Sequence, residues 1–133
     1  MYIIMAKVLI IDDEPDCLKT IQLILESENH EVAMILDGGD LDNIMKEFDP
    51  DIVITDILMP GITGSMVYEK VRREYSPYIP VIISSGTNMH LPRINDPLLS
   101  YENKPITPFG LLQTVKFLLN KSDQMKNKTQ GLG

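Results

Sequence analysis

Five side chains in this sequence carry groups able to work together on a phosphoryl group: Asp12, Asp13, Asp56, Ser85 and Lys104. Each closes or follows a candidate strand. Asp12 and Asp13 end Val8-Leu9-Ile10-Ile11, Asp56 ends Ile52-Val53-Ile54-Thr55, and Ser85 ends Val81-Ile82-Ile83-Ser84. Three carboxylates gathered in one place repel one another unless a cation joins them. Oxygen ligands without Cys or paired His favour a hard ion, and Mg2+ is usually held by one or two carboxylates together with waters and phosphate oxygens. Lys104 adds a point positive charge and Ser85 a hydroxyl donor. Phosphoryl transfer needs mainly positioning and charge neutralisation. A carboxylate can itself be the acceptor, giving an aspartyl phosphate, and Asp56 is the candidate.

The elements that bring these groups together follow from the apolar pattern. The runs at Val8, Val32, Ile52 and Val81 are short and rich in β-branched residues, and Leu98-Leu99-Ser100-Tyr101-Glu102 is a fifth candidate strand. Between them, Pro15 suits a first helical turn and Cys17, Leu18, Ile21, Ile24 and Leu25 fall on one helical face. Leu41, Ile44, Met45 and Phe48 mark a second helix with Asp40 as its cap, and Met66, Val67 and Val71 a third ending at Ser76-Pro77-Tyr78. Thr107-Pro108 opens the last helix, which carries Leu111, Leu112, Val115, Leu118 and Leu119 and frays from Asn120. Strand alternating with helix predicts an α/β fold, a parallel sheet covered on both faces. Right-handed crossovers place all strand C-termini on one edge, where ligands bind in such sheets.

Composition narrows the partners. At 133 residues the chain is one domain, residues 1–121, followed by a polar tail, 122–133, expected to be disordered. Twelve basic against 19 acidic residues give a net charge of −7, which argues against nucleic acid and anionic membrane as partners. The single cysteine, Cys17, excludes an internal disulfide. No apolar run approaches the ~20 residues that span a bilayer. A cytoplasmic location is the expectation.

The residues that carry these inferences resemble the bacterial response regulator receiver domain, in its single-domain, chemotaxis-regulator-like form. The matching stretches are Leu9-Ile10-Ile11-Asp12-Asp13-Glu14-Pro15, Asp51 through Gly61 with Gly64, Pro80 through Gly86, and Tyr101 ahead of Lys104-Pro105. The resemblance implies a flavodoxin-like, five-stranded sheet in the order second, first, third, fourth, fifth. It implies that Asp56 accepts a phosphoryl group from a histidine kinase or a histidine phosphotransfer protein. Asp12 and Asp13 would hold Mg2+ with Asp56 and the backbone carbonyl of Leu58. Lys104 would contact the phosphoryl oxygen, Ser85 and Tyr101 would act as the switch pair, and Gly86 would leave room for the phosphoryl group. The Lys104-Pro105 bond is often cis in relatives.

Blander readings stand beside these. Asp13 read alone is a helix cap, Ser84 competes with Ser85, and Tyr101 read alone is packing. Cys17 reads as core, His30 and His90 as surface residues, and Phe117 as lying off the apolar face of the last helix. The chain also departs from the family. It is short between Ser85 and Lys104, and Pro92 and Pro97 interrupt the expected fourth helix, so residues 87–97 read as a loop or one short turn. That irregularity motivates a second reading, an interaction module independent of phosphate. A Mg2+-dependent phosphohydrolase is the third; such enzymes usually place an acid two residues after the nucleophilic Asp, where this chain has Leu58. Without an acid–base group there, a multiple-turnover enzyme is not expected, and the apolar Leu58 is expected to slow water attack on an acyl phosphate. No second domain follows the last helix in this sequence, so output through contact with a downstream protein is expected.

Overall fold

Three strands carry no polar–apolar alternation, and they form the interior of the sheet. In the computed structural model, which describes residues 5–86 and 94–131, β1 (Lys7–Ile11), β3 (Ile52–Asp56) and β6 (Val81–Ser85) lie side by side. Every residue of β3 and β6 is buried. β2 (Glu31–Ile35) pairs with β1, and β7 (Leu99–Asn103) pairs with β6, all parallel. The spatial order β2-β1-β3-β6-β7 is the expected five-stranded order. Alternation sends successive side chains to opposite faces.

One face packs Val8, Ile10, Ile54 and Ile82 against α1 (Pro15–Glu26) and α4 (Pro108–Gly131) through Leu18, Ile21, Leu25, Leu111, Val115 and Leu118. The other packs Leu9, Ile11, Val53 and Ile83 against α2 (Leu41–Phe48) and α3 (Gly64–Lys70) through Leu41, Met45, Val67 and Tyr68. Each such side chain contributes roughly 1.5–3 kcal/mol on full burial. A one-residue slip of a central strand would exchange the two sets, so this packing also fixes the register of the strand ends.

Local chemistry departs from the sequence reading in several places. A 3-10 turn, Gly38–Asp40, precedes α2, and the carboxylate of Asp37, not that of Asp40, caps it by accepting the Gly39 N–H at 2.7 Å. The chain after Asp56 forms a small antiparallel hairpin, β4 (Leu58–Met59) with β5 (Ile62–Thr63), turning through Gly61 at φ +80°. Thr63 then caps α3, its hydroxyl accepting the Met66 N–H. A π-helical turn, Val71–Tyr75, ends that helix. Thr107 caps α4 as expected, accepting the Gly110 N–H at 3.1 Å.

Of the tail expected to be disordered, 122–131 are instead helix. α4 continues to Gly131 because 121–130 contain no helix breaker and Asn127 bonds back to Asp123 one turn earlier. Ser122 is buried there, its hydroxyl donating to the Tyr78 carbonyl. His30 is half-buried, not a free surface residue; its Nδ1 accepts the Ala6 N–H at 3.1 Å, and burial pushes its pKa down. Residues 94–98 contain no helix. The remainder of the expected 87–97 loop, and His90, lie outside the described residues.

Candidate functional site

The parallel sheet delivers its C-terminal ends to one edge, and the predicted residues meet there. Asp12 directly follows β1, Asp56 is the last residue of β3, Ser85 the last of β6, and Lys104 directly follows β7. Lys104 Nζ lies 3.3 Å from Asp12 Oδ2 and 3.5 Å from Asp56 Oδ1. Asp12, Asp13 and Asp56 each offer a carboxylate oxygen within 4.8 Å of the others. Asp12 is 1% exposed and Asp56 8%, whereas Asp13 is open to solvent.

Register explains how Lys104 reaches across. Ser85 pairs with Asn103, and the Lys104 N–H then donates to the Ser85 carbonyl at 2.8 Å, so the lysine begins level with the last residue of its neighbour strand. The Lys104-Pro105 bond is cis. Gly86 faces the lysine stem: a Cβ built there would stand 3.9 Å from the Lys104 side chain, ordinary contact. Ser85 and Tyr101 occupy the same sheet face, two residues apart in register, with Tyr101 half-buried against the cluster formed by α2 and α3.

Electrostatics at this edge are unbalanced. Burial pushes the Asp56 carboxyl above its ordinary value, and Asp12 adds to this, while Lys104 and the Ile57 amide oppose it. Burial works against the Lys104 charge, but Asp12 and Asp56 outweigh it and hold its pKa above the usual lysine value. A second cation would relieve the remaining carboxylate repulsion.

The donor set fits Mg2+. It is all oxygen, it includes three carboxylates, and one of these is exposed. The Leu58 carbonyl, expected as a fourth oxygen, lies on the hairpin. The Gly64 N–H donates to the Ile57 carbonyl at 2.9 Å, which makes Leu58, opposite Thr63, a non-hydrogen-bonded position of the ladder. Its carbonyl is therefore directed away from the hairpin partner.

Beside Lys104, a cleft of about 500 Å³ opens between α1 and the β7–α4 connection, lined by Cys17, Thr20, Ile21, Gly86, Pro105 and Ile106 among others. Cys17, expected in the core, is half-buried: it shares the helix face of Ile21 and Ile24, but at the first turn of α1 that face opens on this cleft. Burial pushes its thiol pKa up. Phe117 is exposed as expected, and Phe109, which the sequence reading passed over, is more so. The same reading passed over Thr55 and gave Gly64 no role, although both stand against the Asp56 backbone. Each has a sequence signal, a hydroxyl inside an apolar strand and a glycine opening a helix.

Residues 8–115 match the family model of the response regulator receiver domain. That match covers most of the chain, and the chain belongs to this family. Among curated proteins it is similar to Protein PilH of Pseudomonas aeruginosa, 29% identical over 119 residues, covering 86% of this chain and 98% of PilH. It is also similar to Response regulator GtcR of Aneurinibacillus migulanus, 32% identical over 108 residues; this spans 81% of the chain but only 44% of GtcR. Among solved structures, a response regulator receiver domain protein from Clostridium thermocellum superposes with a TM-score of 0.71 at 26% identity, covering 93% of this chain and 98% of that one. Chemotaxis response regulator CheY4 of Vibrio cholerae shares the fold, with a TM-score of 0.72 at 22% identity, covering 86% and 98%.

Proposed function

We propose that this chain is a phosphorylatable signalling switch of a two-component system, with Asp56 as the phosphoacceptor. The observation that carries the reading is the placement of the Lys104 ammonium within 3.5 Å of both Asp12 and Asp56, beside a three-carboxylate oxygen cluster. An Asp56 oxygen attacks phosphorus, the new O–P bond forms, and the P–N bond to a partner's phosphohistidine breaks with its electron pair leaving on the imidazole. Lys104 meets the charge on the phosphoryl oxygens. Asp12, Asp13, Asp56 and the Leu58 carbonyl would hold Mg2+, which when bound neutralises further charge on the same oxygens.

Ser85 and Tyr101 form the switch in this reading: Ser85 ends β6, the strand beside β3, Tyr101 shares its sheet face, and a new dianion on Asp56 favours a hydroxyl turned toward it. Partner choice follows: a histidine kinase or histidine phosphotransfer protein upstream and a protein contact downstream, in the cytoplasm. The exposed Leu58 offers no acid or base for hydrolysis, which supports a switch and not a turnover enzyme.

The test is incubation with a small acyl-phosphate donor and Mg2+, read by intact mass. One base-labile phosphoryl group is expected, absent without the ion, absent in Asp56→Asn and strongly slowed in Lys104→Met. Full modification of Asp56→Asn would remove the proposal.

A further inference from the structure

The peptide that follows the acceptor is held at each of its polar atoms. The Ile57 N–H is shared between the Ser84 carbonyl at 2.9 Å and Asp56 Oδ1 at 2.8 Å. The Asp56 carbonyl accepts the hydroxyl of Thr55 at 3.0 Å, in a fully buried position. Against the same carbonyl lies the Cα of Gly64. A Cβ built on Gly64 would stand 2.6 Å from the Asp56 carbonyl oxygen and 3.0 Å from Ile57 Cα, both backbone atoms that cannot swing aside. The Gly64 N–H then closes the loop onto the Ile57 carbonyl.

These contacts bear on the carboxylate itself. The Ile57 amide and Lys104 both reach Oδ1. Rotating the Asp56–Ile57 peptide would withdraw the amide from Oδ1, and the side chain would lose the contact that sets its orientation. In-line transfer tolerates little of this, since a displacement of about 1 Å costs on the order of a hundredfold in rate.

We infer that Thr55 and Gly64 are positioning residues for phosphoryl acceptance: the Thr55 hydroxyl and the absent side chain of Gly64 lock the Asp56–Ile57 peptide so that its N–H orders Oδ1 and leaves Oδ2 as the oxygen that bonds to phosphorus. This rests on the phosphoacceptor reading of Asp56 and deepens it. Neither residue touches the phosphoryl group; both act through the backbone that presents the carboxylate. Thr55 is otherwise an odd choice, a hydroxyl among Ile11, Ile54 and Ile83 in the middle of a buried sheet.

The test compares Thr55→Val, which keeps the shape and removes the hydroxyl, with Thr55→Ser, which keeps the hydroxyl. Two quantities are read: the rate of phosphoryl uptake from a small acyl phosphate at saturating Mg2+, and amide exchange at Ile57 relative to Ile54 within the same strand. Thr55→Val is expected to slow uptake roughly tenfold and to speed Ile57 exchange while Ile54 is unchanged; Thr55→Ser restores both. Gly64→Ala is expected to slow uptake roughly a hundredfold, and if it does not fold, the Thr55 pair decides. Uptake by Thr55→Val at the wild-type rate overturns the inference, as does a slowing that Thr55→Ser fails to rescue. A wild-type protein that takes no phosphoryl group overturns the signalling reading instead, and the Ile57 exchange of the two variants then decides the backbone lock by itself.

Discussion

Two carboxylate–cation clusters stand at opposite ends of the sheet, and they are built to different ends. At the C-terminal edge, Lys104 reaches Asp12 and Asp56 at 3.3 and 3.5 Å. At the N-terminal edge, Arg72 holds Asp96 at 2.7 Å and also donates to the carbonyls of Ser76, Ile79 and Leu98. Asp96 is saturated: Oδ2 accepts the Tyr68 hydroxyl at 2.6 Å as well as Arg72, and Oδ1 accepts the Leu98 N–H at 2.9 Å. Burial acts against the Asp96 charge, yet these donors prevail and hold its pKa below the usual carboxylate value. Asp56 is pushed the other way, by burial first. The planar, five-donor guanidinium suits a finished structural joint, and the single ammonium leaves coordination unfilled. The lesson is that hydrogen-bond saturation, not the presence of an ion pair, separates the two clusters.

The contrast predicts opposite responses to mutation. Arg72→Ala removes the cation from a largely buried carboxylate and frees three carbonyls, so it should destabilise the fold by about 3 kcal/mol, seen as a lower urea midpoint. Loss of less than about 1 kcal/mol would break the distinction. Asp56→Asn, at the other end, should raise the urea midpoint, because burial already disfavours the charge it removes. A lower melting temperature in Asp56→Asn would show that this carboxylate also fastens the structure.

Acid titration sharpens the same contrast with the smallest effect. The Asp96 pKa lies below its ordinary 3.8 in the folded protein, so its stabilisation is present above pH 3.8 and lost as pH falls through the folded value. The stability deficit of Asp96→Asn should therefore shrink under acid. The Asp56 pKa lies above 3.8, so the charged form costs stability at neutral pH, and that cost disappears as pH falls through its folded value. The advantage of Asp56→Asn should shrink over that higher range, measured by urea denaturation at stepped pH.

Much of the C-terminal cluster was legible before any coordinates. Asp12, Asp56 and Ser85 each end or follow an apolar run, Lys104 follows a fifth candidate strand, and a parallel sheet has only one edge for such ends. Almost none of the N-terminal cluster was. Asp96 sits in a proline-flanked stretch that reads as loop, and Arg72 reads as one charge among several on a helix. Their partners are backbone carbonyls 4 to 26 residues away, and a carbonyl leaves no mark in a sequence. The tail was misread for a related reason: polar composition suggested disorder, while Ser122 found a backbone partner 44 residues earlier.

The sequence alone determined the five strands of the parallel sheet and the edge on which Asp12, Asp56, Ser85 and Lys104 gather, because apolar periodicity and the handedness of crossovers leave little choice. Only the tertiary structure decided how the Asp56 carboxylate is aimed. The bond from Thr55 to the Asp56 carbonyl, the shared Ile57 amide and the bare Cα of Gly64 depend on backbone positions set by the packing of α3 on the sheet. Contacts of that kind follow from geometry at tenths of an ångström, which residue types do not encode.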